Sequence, residues 1–81
     1  MPEKHFFYHA CHSAMTPDAV KRSIDALLYV AEDSGLNVHG ENLELWVKPG
    51  WYLICVSVGY DDDDHRSHRS QMEMDGWQRR A

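Results

Sequence analysis

The apolar positions of this chain change period twice. "HFFYHACH" (residues 5–12) is short, aromatic and rich in strand-forming residues, and it predicts a first strand rather than a helix of a turn or two. Farther on, Val20, Ile24, Leu27, Leu28 and Ala31 recur at three- and four-residue steps and make one apolar stripe, with Lys21, Arg22, Asp25, Glu32 and Asp33 mainly off it. Thr16, Pro17 and Asp18 supply an N-cap, a proline for the first helical position and an acid for the first turn. Gly35 ends this helix, and Leu36 is placed to fold back on its last turn. Ile24 and Leu28 are expected to anchor the helix on a sheet.

Alternation returns in "NLELWVKPGWYLICVSV" (42–58), where Pro49 and Gly50 suit the two central positions of a type II turn. With Lys48 to Trp51 as the turn, Val47 opposes Tyr52, Leu45 opposes Ile54 and Leu43 opposes Val56 on one face. The other face pairs Trp46 with Leu53, Glu44 with Cys55 and Asn42 with Ser57. Two-residue type II loops mismatch strand twist, so a bulge or a longer turn is an alternative.

The order is β-α-β-β, an α+β fold. The third predicted strand has the denser apolar content and belongs between the other two, giving a three-stranded antiparallel sheet with one helix packed on one face. Residues 1–60 form a single domain, and 61–81 form an acidic, then mixed-charge tail with a short second helix over 65–75, ended by Gly76. In the first strand, Phe6, Tyr8 and Ala10 are expected to point inward.

One helix leaves one sheet face uncovered, carrying Trp46, Leu53, Cys55 and Trp51. Large apolar patches on small proteins mark interaction surfaces, and Trp is enriched among interface anchors. The competing arrangement folds the tail over this face, with Met72, Met74 and Trp77 completing the core.

Composition narrows the function classes. The 81 residues are 43% apolar and 26% charged, as in one globular domain. The formal net charge is -5, with seven acids against four bases in residues 1–60 and six against four in 61–81. Neither part has the clustered Lys and Arg that grip phosphate backbones, so direct nucleic-acid binding is not expected. The longest apolar run, "WYLICV", is too short for a bilayer, and "MPEKHFFYHACHSAM" does not read as a signal peptide. Cys11 and Cys55 are too few for a disulfide scaffold, which makes a reducing, cytoplasmic setting the expectation.

Motifs for chemistry are weak. Six histidines and two cysteines suggest zinc, yet no second CxxC or HxxxH pair closes a tetrahedron around His9, Cys11 and Cys55, while His65 and His68 share a face only if the tail is helical. Counted as a calcium loop from Asp61, the acidic run has Arg66 where glycine belongs and Met72 where glutamate belongs. Cys11 lacks a second cysteine or a marked substrate pocket for nucleophilic catalysis. No cofactor or metal is expected.

The reading is a small, acidic, non-enzymatic protein acting by protein–protein binding. Its expected role is accessory, regulatory or inhibitory, of the kind phages and mobile elements direct at host machinery. The candidate partner-binding residues are Trp46, Trp51, Leu53, Asp61, Asp62, Asp63, Asp64 and Trp77, and the partner is another protein or a second copy. The four aspartates serve as a hydrated strand terminator or as the acidic start of the tail helix, facing solvent or a basic partner. The alternative is a small homo-oligomer that binds a metal or an aromatic ligand between sheets.

Overall fold

The computed structural model describes residues 3–12 and 14–81. In chain order they form β1 (His5–Cys11), α1 (Pro17–Asp33), a 3-10 turn (Gly40–Asn42), β2 (Leu43–Lys48), β3 (Trp51–Val58), α2 (Asp62–Met74) and β4 (Gln78–Arg79). Among the described residues these strands make one antiparallel sheet in the order β1-β3-β2-β4. The α+β class and the central place of the third strand hold, and β4 and a full second helix extend the expected architecture.

The hairpin register is the expected one from Leu43↔Val56 to Lys48↔Trp51, with no bulge, and Gly50 takes the φ of +80° that a type II turn demands of its third residue. Asn42 lies in the 3-10 turn, outside the ladder. The alternation places Leu43, Leu45, Val47, Tyr52, Ile54, Val56 and Val58 on one face, where they join α1 in a core centred on Leu27, Tyr52, Ile54 and Val56.

The first strand corrects the expectation. Phe7 pairs with Val56 and Cys11 with Tyr52, so Phe7 and Cys11 pack against the α1 core. Phe6, Tyr8 and Ala10 oppose Ser57, Cys55 and Leu53 on the other face. Both faces of β1 carry aromatic residues, so its own alternation could not choose; the register to β3 does.

Helix α1 begins with the expected cap, the Thr16 hydroxyl accepting from Ala19 N at 3.2 Å. Its buried side chains are Ser23, Leu27 and Ala31, with Val20 and Ile24 packed beside them, whereas Leu28 is only half-buried. Ser23 tolerates its buried position because its hydroxyl lies 3.3 Å from Tyr52 Oη and 3.5 Å from Cys11 Sγ, within a hydrogen-bonded chain. Leu27, not Leu28, is therefore the main anchor. Leu27→Ala should lower stability by about 2–5 kcal/mol in urea denaturation, and an unchanged midpoint would place the anchor elsewhere.

Helix α2 lies on the opposite face. It ends like α1, with two bonds closing the last turn: Gly76 N donates to Glu73 O at 3.0 Å and Trp77 N to Met72 O at 3.1 Å. Gly76, at φ +92°, supplies the left-handed residue this closure needs. The closure brings Met72 and Trp77 together over Trp46, Leu53 and Cys55 as a second core. No described helix is long and apolar enough to cross a membrane.

Candidate functional site

The residues expected to bind a partner are divided by the fold. Trp46 (0% exposed) and Leu53 (7%) sit beneath α2 with Trp77 against them, so the face expected to be open is covered by the chain's own tail. Met72 completes that core, whereas Met74 is exposed. Trp51 stays exposed at the hairpin tip and stacks on His12 with ring centres 4.5 Å apart, and Lys48 Nζ lies 4.6 Å from the Trp77 ring centre. Two of the four aspartates form the cap of α2: Asp61 accepts from Asp64 N at 2.8 Å, and Asp64 accepts from Asp61 N at 3.1 Å. Asp64 also pairs with Lys4 at 2.8 Å, and that bond, with the one from Asp61 N, holds its carboxyl below the usual range. Asp62 and Asp63 are exposed.

What seats this polar helix is a buried acid. Glu44, 4% exposed, accepts from Trp46 Nε1 at 3.1 Å and from Arg69 Nε at 2.9 Å, with Arg79 Nη2 at 3.6 Å. Burial alone would raise its pKa, but the Arg69 and Trp46 hydrogen bonds and the Arg79 charge outweigh burial and hold it below the ordinary value. One carboxylate thus ties β2 to α2 and to β4. Beside it, His68 Nδ1 stands 3.6 Å from Glu44, and burial above all pushes His68 below its ordinary pKa. The His68 ring meets Phe6 edge-on at 5.0 Å, and Tyr60 lies next to Phe6 and His65.

Cys55 lies in the same core, and burial, then the Glu44 charge, push its thiol up to about 12. It lies across the sheet from Cys11 and His9, because Cys55 opposes Tyr8 while Cys11 opposes Tyr52. These three do not converge, and among the described residues no group of three His, Cys, Asp or Glu is arranged to hold a metal.

The open surface lies along β1. Leu45 bonds outward to the chain end, accepting from Arg80 N at 2.7 Å and donating to Ala81 O at 2.9 Å. Glu44, Trp46 and Lys48 consequently bond to β3, whose Tyr52, Ile54, Val56 and Val58 bond in turn to Cys11, His9, Phe7 and His5. Phe6, Tyr8 and Ala10 are left with their N–H and C=O groups directed away from the sheet. This edge, seven residues long, carries no Pro, Lys, Arg, Asp or Glu to discourage pairing, and Phe6 (37%) and Tyr8 (65%) are exposed along it. Ala26, Leu27 and Val30 of α1 flank it, forming a groove with Phe6, Phe7, Tyr8 and His9. The opposite edge, β4, is only two residues long and bears Arg79.

Compared with known proteins, the chain matches no family model, no curated protein and no solved structure. None of the β1 edge residues was among the expected partner-binding positions. The available signal was the uncharged, aromatic composition of "HFFYHAC", together with a strand order that leaves it outermost.

Proposed function

We propose that this is a small, acidic, non-enzymatic binding protein that works by accepting a strand of another polypeptide on its β1 edge. The observation that carries this reading is the row of outward backbone groups at Phe6, Tyr8 and Ala10, lined by exposed aromatic rings and an apolar groove. Strand addition of this kind draws affinity from main-chain hydrogen bonds and specificity from alternate side-chain pockets.

The chain's reactive groups support a binding role. Glu44 is engaged by Arg69 and Trp46, Cys55 is buried with a raised pKa, and the half-buried Cys11 lies against Ser23. Two free cysteines suit a reducing compartment such as the cytoplasm. Asp62 adds exposed negative charge at the start of α2, which favours basic flanks on a partner, while Asp63 is paired with Arg66 at 3.2 Å.

Ala10→Pro tests the reading, because proline removes one outward N–H and is tolerated at a sheet edge. The variant should melt near wild type and lose about tenfold or more in affinity for whatever polypeptide wild type binds. In the complex, the Phe6, Tyr8 and Ala10 amides should exchange slowly with solvent. Retained affinity in a folded Ala10→Pro protein, with the Phe6 and Tyr8 amides unprotected, would place binding elsewhere.

A further inference from the structure

Resting on that edge reading, we infer that the strand seated on β1 is the β1 of a second copy, paired antiparallel about a two-fold axis at Tyr8. Of the possible centres, Tyr8 is the one that engages every outward-facing residue of both strands: Tyr8 bonds to the copy's Tyr8, and Phe6 to the copy's Ala10. Side chains follow the same symmetry. On the α2 side of the sheet the large Phe6 lies beside the small Ala10 of the copy, and on the α1 side Phe7 opposes the copy's His9.

The helices fit this pairing. Helix α1 lies over β1 and β3. With strands about 4.8 Å apart, a helix midway between them stands about 10 Å from its symmetry copy, the separation at which helices pack. The two α1 helices run antiparallel. Arg22, Ala26, Val30 and Asp33 follow one another at steps of four, four and three, hence along one flank, and Ala26 and Val30 of that flank line the groove beside Tyr8. The same two-fold sets Ala26 against the copy's Val30 and Arg22 against the copy's Asp33. Small meets large and cation meets anion, and the symmetry makes each match twice. All four residues are exposed, and neither Arg22 nor Asp33 has an ion-pair partner among the described residues. The dimer carries one continuous sheet whose outer edges are the two short β4 strands.

Sedimentation across a concentration series, joined to cysteine crosslinking in a Cys11→Ser background, tests this. Wild type should sediment as a dimer at high concentration. Tyr8→Cys should crosslink to itself with an added disulfide oxidant, since opposed hydrogen-bonded residues lie about 5.5 Å apart at Cα, within disulfide reach. Phe6→Cys should crosslink only when mixed with Ala10→Cys. Arg22→Asp should weaken the dimer about fivefold, and adding Asp33→Arg should restore it. A protein monomeric at every concentration overturns the dimer, as does a dimer whose Tyr8→Cys form does not crosslink or whose charge swap is not rescued. A monomer whose Phe6, Tyr8 and Ala10 amides become protected by an unrelated polypeptide overturns the dimer alone and leaves the edge reading standing. If neither a copy nor another polypeptide protects those amides, both readings fall.

Discussion

Glu44→Ala should lower the stability of this domain by about 3 kcal/mol, toward the lower end of what breaking a buried ion pair costs. The carboxylate is buried, while Arg69 and Arg79 are 39% and 42% exposed and can turn to water, so the full cost of two stranded cations does not arise. What has no escape is Trp46, fully buried, whose indole N–H loses its acceptor at about 1–3 kcal/mol. The lost charge-assisted bond from Arg69 adds a comparable amount. Domains this small have roughly 3–5 kcal/mol in total, so the variant should be largely unfolded or carry a detached α2. Glu44→Gln keeps an acceptor for Trp46 and should cost clearly less. Urea denaturation followed by tryptophan fluorescence measures both, and equal midpoints for Glu44→Ala and wild type would show that α2 is seated by Met72 and Trp77 alone.

Glu44 also explains why one half of the molecule was more legible in the sequence than the other, where the tail helix and its Gly76 end were expected but not what seats them. The hairpin register follows from segregated faces pinned by Pro49 and Gly50, since a one-residue slip would turn Val47, Leu45 and Leu43 away from Tyr52, Ile54 and Val56. The start and stop of α1 follow from Thr16–Pro17 and Gly35, whose bonds are as expected. The second layer has no such pattern. In α2 only Met72 is buried, and the helix is held by Arg69 reaching an acid that reads, by alternation, as an ordinary solvent-facing strand residue. A glutamate between Leu43 and Leu45 on a strand that also bears Trp46 was the one available sign that a cation must arrive from elsewhere. The face of β1 was illegible for another reason: "HFFYHAC" is apolar and aromatic on both sides, and only its partner strand decides which side is inward. At two residues, β4 is too short to have a period at all.

Mild acid should release α2 before it disturbs the α1 layer. His68 is held below its ordinary pKa, first by burial and then by the charges of His65 and Arg69, with Glu44 opposing. The unfolded chain therefore takes up a proton that the folded one refuses, and stability falls as pH drops below about 6.5. The geometry agrees: His68 Nε2 is buried without a hydrogen-bond partner among the described residues, so an added N–H there finds no acceptor. Glu44 is also held low, so its contribution is complete above its unfolded value, about 4.3, and disappears as pH falls through the folded one. Asp64, paired with Lys4 at the head of the same helix, shifts in the same direction. All three losses fall on the joint between α2 and the rest of the chain, whereas the α1 core of Leu27, Tyr52, Ile54 and Val56 is joined by packing and by Ser23–Tyr52 hydrogen bonding. Methyl and indole NMR signals of Met72 and Trp46 should therefore begin to change as pH falls below about 6.5 and go on changing below about 4.3, ahead of those of Leu27 and Val56. His68→Gln should remove the upper part of that transition and leave the lower part, which belongs to Glu44. If all four signals move together in one transition, or if His68→Gln leaves the profile unchanged, the second layer is not an independent acid-labile unit.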